Sequence, residues 1–157
     1  MRLLTYILVL IFYGCAMRIP QSNTIKSVNP IIKFVDDNMG KRVENGLCYQ
    51  LVKGAMINNS GDKAWWTHNY KWSVLFRHRV RMKNAVAGDM IDFSNVEMSD
   101  GVTAKSHVAI VYKVLDNGVF MIAEQNVNCS QKNSKVVLNR MDMRDLEKGK
   151  IKFYHFK

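Results

Sequence analysis

Apolar positions recur at two different spacings along this chain, and the change of spacing divides it. Between Pro30 and Gly40, the residues Ile31, Ile32, Phe34 and Val35 share one side of a 3.6-residue turn, so residues 30–39 are expected to be a helix. Pro30 suits the first turn, where its missing N–H costs nothing, and Gly40 suits the stop. A loop from Lys41 to Leu47 leads to a second expected helix, from Cys48 to about Ile57. Its apolar positions Leu51, Val52, Ala55 and Met56 again follow i, i+3, i+4.

Downstream the pattern shortens. Strands are expected at residues 90–93, 107–115 and 118–124, then at Val136-Val137-Leu138 and over residues 150–156. Asp116-Asn117-Gly118 is a hairpin signal, and Ala87-Gly88-Asp89 and Ser99-Asp100-Gly101 read as turns. Residues 72–82 fit a strand or a short helix, and residues 142–148 a charged turn or a short helix. Helices first and an antiparallel sheet after them give an α+β domain over residues 30–157, with the N-terminal helices packed on the sheet.

Residues 18–29 are polar and read as a tether. Before them, Arg2 is followed by an uncharged apolar run from Leu3 to Phe12 and by the small residues Gly14, Cys15 and Ala16. Residues 1–17 therefore read as a secretory signal peptide, too short in its apolar part for a good membrane span. A retained anchor or a buried N-terminal helix is the competing reading. Cys15 sits where a bacterial lipoprotein carries its lipidated cysteine. Gly14 suits that role, whereas Tyr13 and Phe12 match it poorly.

At 157 residues and 48% hydrophobic, the chain has room and apolar content for one packed domain and is not a disordered tail. The formal net charge of +10 favours acidic partners, a wall polymer or an anionic membrane among them. Lys and Arg are spread along the chain, with one concentration at Arg77-His78-Arg79-Val80-Arg81-Met82-Lys83. That run is either a solvated basic face or a patch for an anionic substrate. The apolar leader and the lack of a recognition motif argue against nucleic acid. No Cys-x-x-Cys pair exists and the four His are scattered, so neither a metal nor another cofactor is expected. A monomer is expected.

The candidate chemistry lies in an order of residues. Cys48 opens the second helix, His107 opens a strand, and Glu124 and Asn126 close the next. A helix N-terminus and a nearby imidazolium both lower a thiol pKa, and Gly46 permits the tight entry that exposes it. A hairpin turning at about residue 116.5 brings residue 107 opposite roughly residue 126. The two-residue period turns Glu124 and Asn126 to one face and Gln125 away, so the first two are the candidate partners for the histidine. Trp65 and Trp66, in an aromatic stretch that runs to Trp72, are either core or groove wall or a substrate-stacking surface. His68 in that stretch reads as structural, and Cys129 as a passive thiol.

Asn45-Gly46-Leu47-Cys48-Tyr49-Gln50-Leu51-Val52, Ala87-Gly88-Asp89-Met90-Ile91-Asp92-Phe93, Ser106-His107-Val108-Ala109-Ile110-Val111 and Glu124-Gln125-Asn126 come in an order that resembles the CHAP family. These are cysteine, histidine-dependent amidohydrolases/peptidases of papain-like fold. Ala87 stands where many members have Pro, and Tyr49 where many have Trp. Residues 36–44 lack the alternating acidic spacing of members that bind calcium. The resemblance implies Cys48 as nucleophile, His107 as general base, Glu124 as its orienting group and Asn126 as an accessory polar residue. It also implies a peptidoglycan amide as substrate, while the leader of residues 1–17 implies a secreted or envelope location. A wall-cutting antibacterial effector and a catalytically silent glycan- or peptide-binding module are the alternatives.

Overall fold

The computed structural model describes residues 29–60, 78–126 and 134–155. Helix α1 spans Pro30–Asn38 and α2 spans Cys48–Ser60. Among the described residues six strands follow: β1 Arg79–Val80, β2 Met90–Met98, β3 Thr103–Asp116, β4 Val119–Glu124, β5 Val137–Asp142 and β6 Leu146–Tyr154. They form one antiparallel sheet in the order β1-β6-β2-β3-β4-β5. The expected α+β architecture, helices packed on an antiparallel sheet, is the observed one.

Asn29, the last residue of the expected tether, caps α1. Its Oδ1 accepts from the N–H of Ile31 at 2.9 Å, and its Nδ2 donates to the carbonyl of Ala87 at 2.9 Å. The helices cover one face of the sheet. There Ile31, Val35, Leu51, Val52 and Ala55 pack with Val108, Ile110 and Ala123. No described helix covers the other face. Its core of Ile91, Phe93, Ala109, Val111, Phe120, Ile122 and Phe153 comes from the strands themselves. The rings of Phe120 on β4 and Phe153 on β6 are 5.2 Å apart, although β2 and β3 lie between those strands. Strands lie about 4.8 Å apart in a flat sheet, so such contact requires the sheet to curl.

Several elements differ from the sequence reading; α2 runs on to Ser60 and β5 to Asp142, past the expected ends at about Ile57 and at Leu138. β3 begins at Thr103, so His107 is an interior residue of that strand and does not open it. The polar run Thr103-Ala104-Lys105-Ser106 carries no apolar alternation, but it pairs with residues 94–97 of β2. β2 runs on to Met98 beyond the expected end at Phe93, because a bulge interrupts its alternation at Ser94-Asn95. β6 begins at Leu146, inside the expected charged turn, since the extended β2 gives it a partner (Met98 with Leu146). The undecided stretch 72–82 resolves in its described part as the short β1 and the start of a 3-10 turn, Met82–Asn84.

Candidate active site

The loop before α2 has no regular structure, and its shape is set by distant side chains. Gln125, fully buried beside the last residue of β4, reaches it from the helix-covered face. Its Oε1 accepts from the N–H of Val43 at 2.8 Å, and its Nε2 donates to the carbonyls of Val43 (3.2 Å) and Leu47 (3.0 Å). Gly46 has φ +85°, and a Cβ there would press on Ser134 at 3.0 Å. Gln50, at the third helical position, turns back so that its Oε1 accepts from the N–H of Leu47 at 3.0 Å. This is one half of a capping box, and it fixes the first turn of α2. Cys48, the first residue of that turn, is held half-buried as a free thiol.

His107 meets Cys48 from β3. The Nε2 of His107 lies 2.7 Å from Glu124 Oε2, and both side chains are nearly buried, at 12% and 8% exposure. Nε2 is thereby committed to the carboxylate, which leaves Nδ1 for the thiol. The second carboxylate oxygen, Oε1, accepts from Asn139 Nδ2 on β5 at 2.7 Å. Phe93 on β2 backs the imidazole, with ring centroids 5.6 Å apart. The chain Cys48–His107–Glu124–Asn139 thus draws on α2, β3, β4 and β5.

The electrostatics follow from this geometry. Burial pushes the Cys48 thiol up, but the hydrogen bond and positive charge of His107 outweigh it, with backbone bonds from Val108 and Tyr49 adding to them. The thiol is held below its ordinary value. Burial alone would lower His107. Its bonds to Cys48 and Glu124, and their negative charges, instead raise it to about 9. Both directions favour a thiolate–imidazolium pair.

Cys48, His107 and Glu124 are therefore together, as expected. Asn126 is not a partner of the imidazole. Its φ of +66° takes it out of the strand's alternation, so the two-residue period that was to align it with Glu124 no longer applies. It borders the same cleft, and its Oδ1 accepts from Ser134 Oγ at 3.3 Å. Asn139 and Gln125 were missed. Asn139 lies just past the expected strand Val136-Val137-Leu138, and the two-residue period turns Gln125 away from His107. The structure bears out that direction and shows what lies there, the loop that holds Cys48. Trp65, Trp66, Cys15, His68 and Cys129 lie outside the described residues.

A cleft of about 570 Å³ opens from Cys48 and His107 along the curled face of the sheet. Among the basic run, the described Arg79, Arg81 and Lys83 do not line it. Asp89, the buried acid of the Gly-Asp turn, lies elsewhere. It accepts from the N–H of Val86 at 2.9 Å and pairs with His155 at 2.7 Å, so its role here is to close a turn. Among the described residues, no group of three His, Cys, Asp or Glu could hold a metal ion.

The crystal structure of Ly7917 with the hydrolyzing product of MDP is similar in fold, with a TM-score of 0.50 at 18% identity. The likeness covers 82% of this chain and 62% of that one. No curated protein matches the sequence. The family model that matches residues 26–155 describes the AIM3/BBC1 cysteine proteinase-fold domain. The expected papain-like fold is thus present, although the matching family is not CHAP by name. By that match, which takes in α1, α2 and all six strands, the chain belongs to the AIM3/BBC1 cysteine proteinase-fold domain family.

Proposed function

We propose that this protein is a thiol hydrolase that cuts an amide bond through a Cys48 acyl-thioester. The observation that carries the reading is the buried 2.7 Å contact between His107 and Glu124, behind a half-buried cysteine whose thiol is held acidic. Cys48 sulfur attacks the carbonyl carbon. His107 Nδ1 then gives its proton to the departing amine, and the C–N bond breaks. Water, losing a proton to His107, attacks the thioester and releases the acid. Glu124 keeps the imidazole in the tautomer and orientation both steps need. The backbone N–H groups at the start of α2 are suited to receive the oxyanion. Asn126, at the cleft edge, is an accessory polar residue.

The substrate we propose is an amide of peptidoglycan. Three things support it: the CHAP-like order of motifs, the hydrolyzing product of MDP held by Ly7917, and the net charge of +10, which suits an anionic wall polymer. We further propose that residues 1–17 direct export, with Cys15 as a candidate lipid anchor, and that residues 30–157 act as one catalytic domain. The test is digestion of purified peptidoglycan by residues 18–157, beside Cys48→Ala, with products read by mass spectrometry. Fragments released by the unmodified protein alone are the expected result. Equal release by both, or none from several wall types, overturns the substrate.

A further inference from the structure

The cleft is more than an approach to the thiol. Beyond Cys48 and His107 it is lined by Phe93, Val96 and Met98 on β2, and by Ile122 and Met141. On a regular strand, every second residue after Phe93 faces the same way, which would bring Asn95 and Glu97 into the cleft. The bulge prevents this. Asn95 takes φ +49°, and the pairing of β2 with β6 slips between Ser94 and Glu97. One extra residue reverses the parity, so Val96 and Met98 line the cleft while Asn95 and Glu97 are exposed. Glu97 instead bonds Lys148 on β6 at 2.8 Å. Gly149, at φ +95°, makes the bulge possible: a Cβ there would stand 2.2 Å from the carbonyl oxygen of Asn95. The strand is bent at the one place where bending exchanges two polar side chains for two apolar ones.

Direction follows from the proton. The departing amine must reach His107 Nδ1; Cys48 meets β3 at Val108, whereas the apolar floor lies beside residues 104–106 of β3, on the other side of His107. Val96 lies opposite Ala104, and Met98 is further on, roughly 15 Å from Phe93 at strand spacing. The leaving half of the substrate therefore covers this floor. Asp142, which also lines the cleft, is already paired with Arg140 and Arg144.

Given the thiol-hydrolase reading, on which this rests, we infer that the leaving-amine side of the scissile bond carries an apolar side chain, received by Val96 and Met98. Those two residues then determine specificity on that side.

The test uses acyl transfer. p-Nitrophenyl acetate acylates Cys48: the thiolate attacks the ester carbonyl, the C–O bond breaks, and p-nitrophenol leaves with the proton that His107 Nδ1 gives up. Leucinamide, serinamide and lysinamide, at equal concentration, then compete for the acetyl group. The amine nitrogen attacks the thioester carbonyl, the C–S bond breaks, and the proton shed by nitrogen passes to His107. An acceptor occupies the place a leaving amine vacates, so the product ratio reads that side directly. All products come from one acetyl-enzyme pool, which makes the ratio independent of how fast the pool forms. Material formed by Cys48→Ala is subtracted.

Acetyl-leucinamide should exceed each of the other two products by about 10-fold or more, the order of discrimination an apolar pocket gives. Met98→Leu should keep the preference and Met98→Glu should abolish it. Ratios within 2-fold, or a preference for lysinamide, overturn the inference while leaving the reactive thiol standing. Failure to form acetyl-Cys48 at all is a different signature, and it removes the thiol-hydrolase reading together with this one.

Discussion

Glu124 is held at both ends, and that double hold explains why a carboxylate stands at this position. One oxygen meets His107 and the other meets Asn139, each at 2.7 Å, so its orientation does not depend on the imidazole alone. Replacing Glu124 by Gln removes a charge-assisted hydrogen bond worth about 1.5–3 kcal/mol, which predicts a fall of about 10- to 100-fold in kcat/KM. Asn139→Ala removes a weaker support and should cost about 3- to 10-fold. Steady-state kinetics on a fluorogenic peptide amide checks both. Equal activity in Glu124→Gln would show that the carboxylate is not orienting the histidine. Cys48, His107 and Glu124 were legible in the sequence because each stands at the end of an expected element, in an order that thiol hydrolases share. Asn139 was not, since nothing local distinguishes an asparagine that meets a carboxylate from one that meets water.

Among the elements, the helices and the β3–β4 hairpin could be read in advance because their signals are local: Pro30 and Gly40 around α1, Asn117-Gly118 between the strands. The second half of β2 could not. Its alternation breaks at the bulge, and the bulge depends on Gly149, more than fifty residues away. Gln125 illustrates the same limit from the other side. The two-residue period gave its direction correctly, yet only the fold shows that this direction holds the loop before α2. Gln125→Ala should leave the backbone polar groups of Val43 and Leu47 without their partners, a loss of about 3 kcal/mol. For a domain of this size that lowers the thermal midpoint by about 6–12 °C. Calorimetry reads the shift, and a midpoint within 2 °C of the unmodified protein would show that the loop holds itself.

The whole molecule brings together what no single element contains. α2 supplies the thiol on one face of the sheet, while β3, β4 and β5 supply the imidazole and its supports toward the curled face. Only the folded chain brings a thiol pushed down and an imidazole raised to about 9 into one pair. The signs can be followed through pH. Below the lowered thiol value, Cys48 gains a proton and loses its nucleophile. Above about 9, the thiolate survives but His107 has no proton for a departing amine. Amide hydrolysis should therefore have two limbs, and alkylation of the thiol only the acidic one. The most direct test of the pair is the rate of iodoacetamide alkylation at Cys48 against pH, followed on the Cys48 peptide by mass spectrometry in the folded and the urea-unfolded chain. We expect the folded midpoint to lie clearly below that of the unfolded chain, which should titrate like an ordinary thiol near about 8.5. Coincident midpoints, or a folded midpoint above the unfolded one, would contradict the ion pair on which the proposed function rests.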